Sequence, residues 1–226
     1  MADNNRKTFR STQGFSLIEL LIVVTLIGIL TAIALPQMLG QRRLIRSSSM
    51  GREIVVQMRL ARQLAMSDRQ SVTFQYNDAT KQITIINHHN NHLLDPAYAL
   101  SCTIGRRDIL VATGYPMTTC SRVVSTYSLA QGGIPTTEIT YGIPAGLPTI
   151  ALADTVSMTP LTAGILNITF QNDGSVIANS GLPDSRAMFF YNNRAAPATA
   201  SAISVVGASG RVKLWRYQSG GNIYAE

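Results

Sequence analysis

Charged residues are scarce in this chain. Asp, Glu, Lys and Arg make up 14% of its 226 residues, against 46% hydrophobic. That balance excludes a disordered polar chain, which lacks the apolar surface to offset its ordering entropy, and suits a β-rich domain with a core of its own. Cysteine is limited to Cys102 and Cys120, and tryptophan to Trp215. No Gly-rich loop ending in Lys-Ser or Lys-Thr is present, which excludes P-loop nucleotide chemistry. Histidine is limited to His88, His89 and His92, and none stands in a nucleophile motif. With Asp95 these three offer nitrogen and oxygen ligands to a divalent metal. Their neighbours Asn87, Asn90 and Asn91 favour a solvated polar loop instead. No metal, no other cofactor and no catalytic group is therefore expected, and the role read from the chain is structural rather than enzymatic. Acids are few as well, twelve against nineteen Lys and Arg, for a formal net charge of +7.

What the chain does have is one long apolar run. Phe15 to Leu35 contains a single charged residue, Glu19. As a helix this run would rise roughly 31 Å at about 1.5 Å per residue, close to the thickness of a hydrocarbon core. A carboxylate there costs roughly 2.5–3.5 kcal/mol on insertion scales, so Glu19 needs a partner or a purpose. The preceding residues, Met1–Gly14, carry Arg6, Lys7 and Arg10 against Asp3. This basic leader is expected to stay cytoplasmic, which places everything after the span outside the inner membrane. Two plainer readings compete. Ala32-Ile33-Ala34 resembles a small-residue signal-peptide cleavage site, but the run is longer than an ordinary h-region and holds an acid. The other is a simple single-pass anchor. In an oxidising compartment beyond the membrane, Cys102 and Cys120 are expected to pair, the alternative being two separate buried thiols.

The remaining pattern predicts an α+β fold, a long N-terminal helix packed by its second half on an antiparallel sheet. Residues 15–69 read as one helix, bent or interrupted at Pro36, where a backbone donor is missing. Residues 37–226 form the globular part, opened by an amphipathic helix over 37–69. There Met50, Ile54, Met58, Ala61 and Ala65 recur at spacings of four and three and define one stripe, with Arg52 and Arg59 opposite. Ser71–Tyr76 alternates, Asn77–Thr80 is turn chemistry, and Gln82–Ile86 returns as a hairpin partner. Residues 87–165 read as an elaborated insertion with weak strand candidates at Ile109–Val111, Val123–Leu129 and Glu138–Tyr141. Further strands are expected at Leu166–Phe170, Ala187–Tyr191, Ser201–Val206 and Arg211–Tyr217, with turns at Asn172–Ser175 and Gly207–Gly210.

The segment Gly14-Phe15-Ser16-Leu17-Ile18-Glu19 resembles the processing site of type IV pilins and pseudopilins. The resemblance implies that a prepilin peptidase cuts after Gly14 and that Phe15 becomes an N-methylated mature terminus. It further implies that Glu19 pairs with the N-terminal amine of a neighbouring subunit and that Pro36 bends the helix. Gln13 departs from the Lys or Arg that often precedes the glycine. The later pattern, down to Gly210-Arg211-Val212-Lys213-Leu214-Trp215, is similar to the GspH/FimT group of minor pilins and pseudopilins. The partners so implied are other pilins in a filament, the peptidase, an inner-membrane assembly platform and the membrane itself.

Two basic features complete the reading. Arg42, Arg43, Arg46, Arg52, Arg59, Arg62 and Arg69 crowd one helical segment, offset only by Glu53 and Asp68. They suit a solvated or filament-contact face, or lipid headgroups. On the last strand Arg211, Lys213, Trp215 and Tyr217 share one side by period two, with Val212, Leu214 and Arg216 on the other. Cations neutralise phosphate and aromatic rings stack on unpaired bases, so Arg211, Lys213, Trp215 and Arg216 are candidate DNA contacts. Some FimT-type pilins that the chain resembles bind DNA through a Gly-Arg-x-Arg stretch, which Gly210–Lys213 matches with Lys for the second Arg. The alternative is that Trp215 packs across the sheet and the cations are solvated edge residues. Three functions therefore stand: a structural minor pilin, a DNA-binding minor pilin, or a type II secretion pseudopilin driving exoprotein export.

Overall fold

The computed structural model describes residues 16–88, 121–148, 154–178 and 182–226. Two compact units divide between Gln41 and Arg42. Helix α1 runs Leu17–Asp68 and supplies secondary structure to both, continuous in its assignment through Pro36. In the second unit the expected stripe is the buried one: Met50, Ile54, Met58, Ala61 and Ala65 are all at most 4% exposed, while Arg52 and Arg59 face solvent. The helix ends in a Schellman turn. Arg69 takes the left-handed conformation at φ 55°, and the Gln70 amide donates to the Ala65 carbonyl at 3.1 Å.

Nine strands follow among the described residues: β1 (Val72–Asn77), β2 (Gln82–Asn87), β3 (Arg122–Ser128), β4 (Ile139–Tyr141), β5 (Ile165–Phe170), β6 (Arg186–Asn192), β7 (Ser201–Val206), β8 (Arg211–Gln218) and β9 (Ile223–Ala225). The α+β class is as expected, but the sheet is divided. One sheet has the order β3-β2-β1-β5 and the other β4-β6-β7-β8-β9, and every recorded pair is antiparallel. The stretch read as an insertion supplies β3 to the first sheet and β4 to the second, so those residues belong to the framework. The candidate strand at 109–111 lies outside the described residues. The β1–β2 turn forms as its residues dictate, with the Asn77 carboxamide oxygen accepting from the Ala79 and Thr80 amides at 3.0 and 3.3 Å.

Both sheets turn one face to the helical stripe. Phe74, Tyr76, Ile85 and Ile168 meet Met188, Phe190, Ile203 and Val205 in one core. Tyr76 and Phe190 touch edge to face at 5.1 Å across the two sheets. The second sheet is buried on its far face too, where Ala187, Phe189, Ala202, Trp215 and Tyr224 join Val156 in a second core. Alternation along β6 therefore separates two buried sides, and β7 is apolar or small almost throughout.

Candidate assembly segment and basic face

The first unit presents its apolar surface bare. From Leu17 to Leu35 every large apolar side chain is 47–83% exposed, so nothing among the described residues covers them. This is the one helix among the described residues long and apolar enough to cross a membrane. Its hydroxyls are satisfied internally. Thr25 Oγ1 donates to the Leu21 and Ile22 carbonyls at 3.0 and 2.8 Å, and Thr31 Oγ1 to the Ile27 carbonyl at 2.7 Å. A helix in lipid or in a bundle of helices requires that closure, because no water is present to pair with a stray hydroxyl. Glu19 stands exposed in the first turn, where a negative charge favours the helix dipole, and it makes no ion pair among the described residues. Gly14 and Phe15 lie outside the described residues, as do Cys102, Cys120, His89, His92 and Asp95.

His88 corrects one expectation. It is buried at 4% exposure rather than solvated. Its Nε2 lies 2.6 Å from Thr73 Oγ1 and its Nδ1 3.1 Å from Ser121 Oγ, while Thr73 and Thr169 hydroxyls meet at 2.7 Å. The Asn-rich context concealed this, since the partners, Thr73 on β1 and Ser121 just before β3, lie outside it. Among the described residues no three His, Cys, Asp or Glu side chains gather as metal ligands.

Strand β8 divides its candidates. Arg211 and Arg216 are exposed and make no ion pair among the described residues. Lys213 does share its face with Trp215, sitting 4.8 Å from the ring centroid, but its Nζ is held by Glu226 at 2.8 Å. That hydrogen bond holds the Glu226 carboxyl below its usual value. Trp215 is 3% exposed and donates from Nε1 to Ser204 Oγ at 2.8 Å, and Ser204 in turn donates to Asp154. A ring so placed is closed to stacking on a base. Ser204 and Asp154 carry no motif that marks them in the sequence.

The glycine of Gly210-Arg211-Val212-Lys213 has a packing explanation. Its φ is +59°, and a Cβ there would fall 1.7 Å from the Gly174 carbonyl oxygen. Arg62 clasps the same junction, donating from Nε to the Gly174 carbonyl at 3.2 Å and from Nη2 to the Ser209 carbonyl at 3.0 Å. Arg59 reaches the Val212 carbonyl at 3.5 Å. Two helical arginines thus stand beside Arg211, a convergence that linear spacing does not reveal.

Residues 9–35 match the family model of the prokaryotic N-terminal methylation motif. The chain is accordingly type IV pilin-like in this segment, with the methylation motif leading into the bare apolar helix. Two crystal structures of the type IV minor pilin FimU from Pseudomonas aeruginosa strain PAO1 are similar at 14% and 15% identity. Each comparison covers 74% of this chain and 86% or 90% of the other, with a TM-score of 0.39. No curated protein matches the chain.

Proposed function

We propose that this chain is a minor structural subunit of a type IV pilus or a type II secretion filament. The observation that carries the proposal is the methylation motif at residues 9–35 running into a helix whose apolar side chains no described residue covers. In this reading prepilin peptidase cuts between Gly14 and Phe15 and the new amine is methylated. The chain waits as a single-pass inner-membrane protein with residues after the span in the periplasm. During assembly, at a platform in that membrane, its helix exchanges lipid for the helices of other pilins. Glu19 then meets a neighbour's N-terminal amine, and their attraction in low dielectric offsets the desolvation of both. Mass spectrometry of the protein from its bacterial host tests this: the first residue should be N-methylated Phe15. A protein that retains Met1–Gly14, or begins at Leu35, overturns it.

The pilus and secretion roles use the same helix and separate in the host. Deletion should abolish surface pili in one case and export of folded exoproteins in the other. A second reading, contact with DNA phosphates, is favoured by exposed Arg211 beside Arg59 and Arg62. It rests on charge alone, because Trp215 is buried. DNA affinity of the full chain in detergent should fall steeply with salt, and Arg211→Ala with Lys213→Ala should flatten that slope. Binding insensitive to salt would eliminate this surface.

A further inference from the structure

We infer that a groove of about 390 Å³ between the 44–51 turn of α1 and the adjoining ends of β7 and β8 binds an anionic single-chain amphiphile. Its volume lies in the range of small-molecule sites, which are concave, mostly apolar and fitted with a few polar groups. Leu44, Leu214 and Tyr217 form its apolar walls. Gly51 closes its base by a close approach of the helix to β7 and β8: a Cβ there would sit 3.2 Å from Leu214 Cδ1 and 3.5 Å from Ser201 Oγ.

Two polar groups select the head. Ser201, 6% exposed and lining the groove, has a buried hydroxyl with no hydrogen-bond partner among the described residues. A buried polar atom in that state is a standing opportunity for a ligand oxygen. Arg216 lines the same groove, is exposed and makes no ion pair among the described residues. Among the described residues no acid lines the groove, so Arg216 gives it a positive charge. An apolar tail along Leu44 and Leu214 with a carboxylate on the Arg216 guanidinium satisfies the walls, the charge and the hydroxyl together.

The test uses the full chain in nanodiscs of zwitterionic lipid with a photoreactive dodecanoate carrying a diazirine in its tail. Labelling of the span, residues 17–35, serves as the unsaturable reference for probe dissolved in lipid. Labelling of residues 44–51, 198–201 and 214–217 should saturate and should be displaced by unlabelled dodecanoate. The same tail on a quaternary ammonium head should label these residues no more than the reference. Arg216→Glu should cut saturable labelling by dodecanoate on the order of tenfold. Equal labelling by both heads, or none above the reference, overturns the inference. So does a chain-to-chain crosslink of doubled mass from a photoreactive group at position 48, which would assign the groove to a second copy.

Discussion

Gly210→Ala tests whether the glycine just before β8 is set by packing. The substitution adds one methyl group at a position with φ +59°, where the nearest atom is a backbone oxygen, Gly174 O, at 1.7 Å. Two costs arise. A left-handed backbone costs a Cβ-bearing residue about 1–2 kcal/mol. Displacing a carbonyl that Arg62 also holds is an overpacking cost of about 1–3 kcal/mol. Together they reach about 2–5 kcal/mol, a large part of the roughly 5–15 kcal/mol that stabilises a domain. Gly146→Ala separates the two, because Gly146 has φ +83° but a Cβ there would meet nothing among the described residues within 4 Å; it should lose only the first cost. Gly220→Ala, with open space and no positive φ, should change stability little. The chain has one tryptophan, Trp215, buried in the second core, so its fluorescence reports unfolding of that unit. Urea titration of the full chain in detergent should show the Gly210→Ala midpoint lowered by about 1–2.5 M for a slope of about 2 kcal/mol/M. If Gly210→Ala and Gly146→Ala fall by equal amounts, the close approach to Gly174 contributes nothing and the packing argument fails.

Other expectations follow from the same contacts. Glu19→Val should leave membrane insertion intact but block entry into filaments, read by fractionation and by subunit content of sheared filaments; normal incorporation would refute the pairing. Trp215→Phe removes the donor to Ser204 and some core volume, and should cost about 1–3 kcal/mol by calorimetry. A loss below about 0.5 kcal/mol would show the hydrogen bond to be idle. Burial, then the nearby Tyr217, pushes the Tyr224 hydroxyl up to about 12 from an ordinary value near 10. The folded state therefore holds that proton more tightly, and the associated stability is complete below pH 10 and lost as pH rises through 12. Tyr224→Phe should reduce this alkaline loss. At neutral pH it should change stability by less than about 1 kcal/mol, because the hydroxyl is buried without a partner among the described residues; an unchanged alkaline profile would count against the assignment.

Features that depend on neighbours along the chain were legible from the residues alone. Met50, Ile54, Met58, Ala61 and Ala65 define a buried stripe by their spacing, and Val72, Phe74 and Tyr76 share a face by alternation. The apolar helix and its methylation motif are likewise local, which is why the pilin-like segment can be read in residues 9–35. Alternation says which residues share a side but not what covers that side. Trp215 and Lys213 do lie together, yet it takes the folded chain to place Trp215 in a second core and to engage Lys213 with Glu226. The same limit conceals the division into two sheets, the burial of His88, the meeting of Arg62 with the β7–β8 turn and that of Arg59 with the Val212 carbonyl. Each depends on segments far apart in sequence coming within a few ångströms, and no period in the chain encodes that distance.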